Sequence, residues 1–293
     1  MTEILARTPQ GSIRGRWFLP DSGDTVRGSV VVASAMGVLQ SYYAPFAEYL
    51  ASRGLATLTF DYRGIGESTL DPGCDVSLHA WGEIDLVAAV ASARARHPGV
   101  PMHFVGHSVG GQIFGLLSDA PFASALFVAC QSGYFMNWPG PAKVAMAALW
   151  YVGIPWSVRA TGRLPMKAFR QGEDVPAGVA REWSQWGRDP RYVLSYVDGL
   201  PDRSDRAFER FTAPLRSYAF RDDRLAPPAT VRALAEFYRG THTDLRVISP
   251  RELGVRSIGH FGFFRAMFRE SLWAEAHAWL RENAPVPAQR PSR

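Results

Sequence analysis

The 293-residue sequence predicts an α/β fold, with helices on both faces of a mostly parallel sheet. Two observations predict it. Short continuous apolar runs, which are typical of strands buried on both faces, alternate with amphipathic stretches that are typical of helices. Hydrophobic residues make up 47% of the chain and charged residues 20%, as in an ordinary globular protein. A third observation is that the alternation is interrupted once, which predicts an insertion.

The elements of the first half follow in order. Residues 2–8 and 12–18 flank Pro9-Gln10-Gly11 and predict an antiparallel hairpin. Buried strands are predicted at residues 29–35, 56–60, 102–105 and 123–129. Helices are predicted at residues 43–53, which end at Gly54, at residues 81–96, which Pro98-Gly99 closes, and at residues 112–117.

The second half begins with the interruption. Residues 133–206 contain no convincing buried strand, and five of the nine tryptophans lie there. The alternation resumes with strands at 215–220 and 245–248 and helices at 229–238 and 270–283, and the Pro-rich tail 284–293 is expected to be frayed. We therefore predict a core in two parts, residues 1–132 and 207–293, and a helical, aromatic-rich cap over residues 133–206. Open α/β sheets bind ligands beyond the carboxyl ends of their strands, so we expect the cap to cover that edge.

Composition excludes several classes of function. The net charge of +5 comes from arginines scattered along the chain, so we predict no nucleic-acid partner. No apolar stretch approaches the roughly 18 residues of a membrane span, and residues 1–10 do not resemble a secretory signal. Cys74 and Cys130 fit a reducing compartment and show no metal-ligand spacing. We expect a cytoplasmic protein without a metal, and make no prediction of its oligomeric state.

The most informative motif is Gly106-His107-Ser108-Val109-Gly110-Gly111, between a predicted strand and a predicted helix. So sharp a turn strains the backbone of its central residue. A Cβ atom at position 106 or 110 would strike the adjacent helix or strand. The turn therefore holds the Ser108 hydroxyl above the end of the sheet, where a substrate can reach it.

A serine hydroxyl needs a base to become a nucleophile, and the base needs a group that orients it. His260 is the predicted base, because it lies between glycines in a loop after the last strand, whereas the other six histidines lie in strand, helix, loop or polar surface contexts. The predicted acid is Asp223, with Asp222 as the alternative, in the loop after the strand at 215–220. The chain order is then serine, aspartate, histidine.

An acyl-transfer site also needs two backbone N–H groups that stabilise the oxyanion. One is predicted at Val109, directly after the serine and at the start of a helix. The second is expected from the loop Met36-Gly37-Val38-Leu39-Gln40, after the strand at 29–35. We choose Val38, with Met36 as the alternative.

With these motifs and the stretch Asp61-Tyr62-Arg63-Gly64-Ile65-Gly66-Glu67-Ser68, the chain resembles the α/β-hydrolase superfamily over nearly its whole length. It is most similar to an uncharacterised bacterial branch of serine-aminopeptidase-like and lysophospholipase-like hydrolases. The resemblance implies an eight-stranded sheet, a cap over the site and no cofactor. Met36-Gly37 stands where many relatives have His-Gly, and we expect a structural role for residues 61–68.

The aromatic residues of the cap predict an apolar substrate pocket. We expect Met36, Trp138, Trp150, Trp156 and Phe261 to line it. The favoured hypothesis is a serine hydrolase that cleaves an ester or thioester of a small-molecule apolar acyl substrate through an acyl-enzyme. One alternative is an acyltransferase, or a biosynthetic thioesterase or cyclase, with the same three side chains. The other is a non-catalytic ligand-binding protein on this fold.

Overall fold

In a computed structural model, which describes residues 3–8, 10–169 and 172–284, eight strands of the chain form one mixed sheet. They are β1 (Glu3–Thr8), β2 (Gly11–Phe18), β3 (Gly28–Ala33), β4 (Leu55–Asp61), β5 (Met102–His107), β6 (Ser124–Val128), β7 (Leu215–Phe220) and β8 (Thr243–Ile248). Their spatial order is β1-β2-β4-β3-β5-β6-β7-β8. β2 is antiparallel to both neighbours, and the other pairings are parallel. A short strand, Thr69–Leu70, also pairs with β2.

The central strands are buried because each carries an apolar or small residue at nearly every position. All residues of β3, β4, β5 and β6 are buried. Since alternate side chains of a strand point to opposite faces, such strands support a core on each side of the sheet. One core contains Trp81 and Phe104, and the other contains Phe46 and Trp273. The predicted fold class is confirmed.

The helices lie between the strands as predicted, with shifted ends. The α-helices are α1 (Ala44–Ala51), α2 (Leu78–Ala80), α3 (Val87–Arg96), α4 (Val109–Phe114), α5 (Ala142–Ala148), α6 (Ile154–Thr161), α7 (Ala177–Trp186), α8 (Leu194–Val197), α9 (Ala207–Arg210), α10 (Pro228–Ala235) and α11 (Ala274–Glu282). Segments of π-helix join or precede some of them at Trp81–Leu86, Leu149–Gly153 and Arg269–Trp273. Short 3₁₀ turns occur at Gln40–Tyr43, Phe135–Asn137, Met166–Phe169, Arg203–Asp205, Pro250–Leu253, Gly262–Phe264 and Ala266–Phe268.

Several predicted boundaries were wrong by a few residues. The helix predicted at 112–117 is α4, which begins at Val109, directly after the serine turn. The helix predicted at 229–238 begins at Pro228, whose ring suits the first turn of a helix, and ends at Ala235. The predicted tail falls mostly on residues 285–293, which lie outside the described part of the chain.

The segment between β6 and β7 is mainly helical. α5, a π-helical turn and α6 form one continuous helical run over residues 142–161, and α7 and α8 follow. Its strands are a two-residue pair, Arg163–Leu164 with Val175–Pro176. This segment leaves the sheet at the carboxyl end of β6, and its residues Met146, Trp150 and Ile154 line a cavity together with Ser108, so this part of it lies over the edge where the strands end.

The stretch 61–68 makes structural contacts. Asp61 accepts hydrogen bonds from the backbone N–H of Gln40 at 2.8 Å and from its side chain at 2.9 Å. Arg63 and Asp85, both fully buried, form an ion pair of 2.6 Å. Burial raises the pKa of Asp85, and Arg63 opposes this shift. These contacts tie the loop after β4 to the 3₁₀ turn before α1 and to the π-helical segment before α3.

Candidate active site

Ser108 lies at the apex of the turn between β5 and α4, with a left-handed φ of 51°. Its neighbours are small because there is no space for side chains. A Cβ atom at position 106 would lie 2.7 Å from the backbone nitrogen of Gly111, and one at position 110 would lie 2.4 Å from the carbonyl oxygen of Ala33. Real Cβ contacts are almost never this short. The predicted clash with helix and strand at these two positions is therefore observed, and the strained turn holds Ser108, which is itself buried, at the carboxyl end of β5.

Asp223 and His260 meet beside this turn. His260 Nδ1 lies 2.8 Å from Asp223 Oδ2, and both residues are buried. The other carboxylate oxygen of Asp223 accepts backbone N–H groups from Leu225 at 2.8 Å and Ala226 at 2.9 Å. Since three hydrogen bonds fix this carboxylate, it can hold the imidazole in one orientation and one tautomer.

Asp222, the alternative acid, has a different position. Its Oδ2 accepts the backbone N–H groups of Ile258 at 2.8 Å and Gly259 at 3.1 Å, the two residues before His260. The adjacent aspartates therefore contact the same loop in two ways. Asp223 contacts the imidazole, whereas Asp222 holds the backbone that carries it.

His107 connects the three loops of the site, although the sequence analysis gave it no role. Its Nε2 lies 2.9 Å from the His260 carbonyl oxygen, and its Nδ1 lies 2.8 Å from the Tyr43 hydroxyl, which accepts the N–H of Ala35 at 2.8 Å. Complete burial holds the pKa of His107 well below its ordinary value, so the ring is neutral. A carbonyl only accepts, so Nε2 carries the proton and Nδ1 accepts from Tyr43. Its position next to Ser108 was the only signal in the sequence.

Of the two candidates for the second oxyanion donor, the structure excludes Val38. The Val38 N–H donates to the Ala35 carbonyl at 3.1 Å, closing a turn in which Gly37 has a φ of 68°. The prediction of Val38 was therefore wrong, because this turn already uses its N–H group. The Met36 N–H has no acceptor among the described residues, and Met36 lines a cavity together with Ser108. Val109 begins α4, so its N–H has no acceptor within the helix.

A cavity of about 320 Å³ lies over the serine turn. Its polar side chains are those of Ser108, His260 and Gln131. The remaining lining is apolar and comes from Ala35, Met36, Trp138, Met146, Leu149, Trp150, Ile154, Leu164, Met166, Trp183, Leu225 and Phe261. Within the described ranges no hydrogen bond joins Ser108 to the His260 ring, yet both groups face this one cavity. Such contacts often tighten only when substrate binds.

Four of the five predicted pocket residues line the cavity: Met36, Trp138, Trp150 and Phe261. Trp156 does not, and that prediction was wrong. It lies on the outer side of α6, with 70% of its surface exposed. Most of the residues that were missed are aliphatic or methionine side chains of the segment between β6 and β7, which resemble ordinary core residues in sequence. Only the folded arrangement distinguishes them from the core.

The sheet order, the strained serine turn and the loops that follow β7 and β8 define an α/β-hydrolase. Residues 24–250 match the family model described as serine aminopeptidase, S33. The chain belongs to this family, within the α/β-hydrolase superfamily.

The individual proteins that are similar to this chain share less than a third of their residues with it. A monoacylglycerol lipase of Mycolicibacterium smegmatis is 28% identical over 230 residues, which cover 75% of this chain and 79% of the relative. Among solved structures, a soluble variant of monoglyceride lipase from Saccharomyces cerevisiae has a TM-score of 0.65 at 14% identity, covering 96% of this chain and 95% of that one. The monoacylglycerol lipase of Paleococcus ferrophilus has a TM-score of 0.58 at 17% identity, covering 92% and 99%. At sequence identities this low, the similarity to these two solved structures shows that the fold is shared.

Proposed function

We propose that this protein is a serine carboxylic ester hydrolase acting on esters of apolar acyl groups. One observation carries the proposal: His260, which lies 2.8 Å from Asp223, shares with Ser108 a cavity that is otherwise almost entirely apolar. The relative named monoacylglycerol lipase supports an ester as the substrate.

In the proposed mechanism, Ser108 Oγ attacks the ester carbonyl carbon, and His260 Nε2 takes the hydroxyl proton. Asp223 stabilises the imidazolium that forms. The tetrahedral intermediate collapses, the bond to the alcohol breaks, and His260 returns the proton to the departing alkoxide. A water molecule, deprotonated by His260, then attacks the acyl-enzyme, and the carboxylic acid leaves with Ser108 Oγ–H restored.

The oxyanion is assigned to the N–H groups of Val109 and Met36. The Val109 N–H is at the positive end of α4, which adds the favourable field of the helix start. The Met36 N–H belongs to the loop held by Tyr43 and lines the same cavity as Ser108. Preorganised donors of this kind are each worth about 10²- to 10³-fold in rate.

The lining of the cavity favours an ester over a peptide. An aminopeptidase has to bind the free, positively charged amino group of its substrate, and a carboxylate is the natural partner. Among the described residues that line this cavity there is no carboxylate. Its volume of about 320 Å³ is near the lower end of the roughly 300–1,000 Å³ range of small-molecule sites, which suits a short to medium acyl chain.

The test is hydrolysis of a p-nitrophenyl ester series of increasing acyl length, beside aminoacyl-p-nitroanilides. We expect a maximum at short to medium chains and no release from the anilides. Ser108→Ala should lose activity by about 10⁴-fold or more and should not react with a fluorophosphonate probe. Ser271→Ala, a serine remote from the cavity, is the matched control and should behave like the wild type.

Two outcomes would overturn the proposal. Full turnover by Ser108→Ala would exclude the serine mechanism, and anilide cleavage without ester cleavage would exclude the substrate class. Product analysis with added alcohol or amine acceptors distinguishes hydrolysis from acyl transfer. Failure of the probe to label the wild type would favour a ligand-binding role instead.

A further inference from the structure

The helical run over residues 142–161 has apolar side chains on two opposite sides. Residues four apart lie on the same side of a helix, and an offset of two residues turns about 200° around it. The inner stripe consists of Met146, Trp150, Ile154 and Val158. The outer stripe consists of Val144, Ala148, Val152 and Trp156.

The two stripes have different surroundings. Met146, Trp150 and Ile154 line the cavity over Ser108. In the outer stripe, Val144 is 66% exposed, Val152 is 64% exposed and Trp156 is 70% exposed. Exposed apolar side chains normally occur singly, so a stripe of this kind indicates a surface that binds something. Tyr151 on the same helical run and Met136 in the preceding 3₁₀ turn, Phe135–Asn137, are also exposed.

The charged residues in the sequence segment that carries the outer stripe all have one sign. No aspartate or glutamate occurs in the sequence from Ala120 to Gly172. Three exposed basic residues, Lys143, Arg159 and Arg163, flank the stripe at the two ends of the helical run. An apolar stripe with cationic ends matches the boundary of an anionic lipid bilayer, where apolar side chains enter the acyl region and cations meet phosphate groups.

We propose that the outer face of residues 142–161 docks this protein on an anionic phospholipid surface. No helix among the described residues is both long and apolar enough to traverse a bilayer, so the run would lie in the plane of the interface. Trp156 suits this position, because an indole ring combines a large apolar surface with one polar N–H group.

Docking would bring the membrane next to the site. Leu149 lines the cavity and is also exposed at the surface, so it lies on the short path between them. An ester dissolved in the bilayer would then reach Ser108 without crossing water, a consequence that rests on the proposed function. The docking itself does not depend on the chemistry.

The experiment measures co-sedimentation of the full chain with phosphatidylcholine–phosphatidylglycerol vesicles and with pure phosphatidylcholine vesicles. Ser108→Ala is measured alongside, so that binding is separated from turnover. The variant carrying Val144→Gln, Val152→Gln and Trp156→Gln should bind the mixed vesicles about 100-fold more weakly. Lys143→Gln with Arg159→Gln should reduce binding about tenfold or more and remove most of the preference for anionic lipid.

The matched control is Met267→Gln, because Met267 is 62% exposed but lies outside the cap. It should bind like the wild type, and every variant except Ser108→Ala should hydrolyse a water-soluble ester at the wild-type rate. Wild-type protein that fails to bind the vesicles, or a triple variant that binds equally well, would overturn the proposal. So would light scattering that shows a dimer which the triple variant dissociates, since a second copy would then cover the stripe.

Discussion

Replacing Tyr43 with phenylalanine removes one oxygen atom from the centre of the candidate site. The hydroxyl accepts the Ala35 N–H at 2.8 Å and donates to His107 Nδ1 at 2.8 Å. The Tyr43 hydroxyl therefore connects the loop after β3, which carries the proposed Met36 oxyanion donor, to the serine turn. The substitution leaves the ring in place and changes only these two hydrogen bonds.

The cost to stability follows from the burial of both partners. Neither Ala35 nor His107 has access to water that would replace the lost hydroxyl. A buried donor or acceptor left without a partner costs about 1–3 kcal/mol, so two of them cost about 2–6 kcal/mol in the free energy of unfolding. Since domains of this kind have about 5–15 kcal/mol of stability, a loss in the lower half of this range leaves Tyr43→Phe folded.

The effect on activity should appear in kcat. Tyr43 is not among the residues that line the cavity, so substrate binding and KM should change little. The N–H of Met36 is adjacent to the residue that loses its anchor, and misplacement of a catalytic group by about 1 Å can cost about 100-fold. We expect kcat to fall about 10- to 100-fold, measured by ester hydrolysis beside urea denaturation.

Tyr218→Phe is the matched control. Tyr218 is also buried and makes one side-chain hydrogen bond, to Glu275 at 3.1 Å, away from the cavity. Glu275 is partly exposed and can be rehydrated, so this variant should lose only about 1 kcal/mol and keep its kcat. The reasoning is refuted if Tyr43→Phe retains wild-type kcat, or if its stability falls no further than that of the control.

Three further predictions concern charged groups. Asp223→Asn should reduce kcat by roughly 10³- to 10⁴-fold with little loss of stability, because the imidazole loses its orienting carboxylate. Asp222→Ala should reduce kcat by only about 10- to 100-fold and should cost about 1–3 kcal/mol of stability, because it frees the backbone before His260; equal losses of kcat would contradict the separate roles. Burial tends to lower the pKa of His79, but its 2.7 Å contact with Glu182 more than offsets this, and the pKa lies above 6.5. The pair therefore stabilises the fold near pH 6 and ceases to do so as the pH rises through the raised pKa of His79, so the difference in Tm between wild type and His79→Gln should be larger at about pH 6 than at about pH 9. This partly exposed pair is worth less than about 1 kcal/mol, and a difference that grows with pH would contradict the assignment.

The sheet was predictable because its strands are specified locally. Runs such as Ser29-Val30-Val31-Val32-Ala33 contain almost no polar side chain, so they are stable only when covered on both faces. The ends of the helices were less predictable. A terminal turn of a helix costs little to add or remove, and neighbouring elements decide where it stops.

Within the site, local rules worked where the space around a residue decides which side chain it can carry. Gly106 and Gly110 are required by contacts of 2.7 and 2.4 Å that their Cβ atoms would make, and the motif predicted both. Val38 failed because a turn of the loop had already used its N–H group. The roles of Ser108, Asp223 and His260 in the reaction stay predictions until the variants are measured.

The sequence by itself determined the fold class, the order of the strands along the chain and the serine turn, because each depends on neighbours in sequence. Only the tertiary structure decided which aspartate meets His260, which tryptophans face the cavity and which backbone N–H group is free to act. Those properties depend on distances between loops that are far apart along the chain. For the same reason, the sequence did not distinguish the exposed Trp156 from the buried Trp150. Both belong to the helical run over residues 142–161, and only the packing of this run against the rest of the protein determines which of the two side chains is exposed.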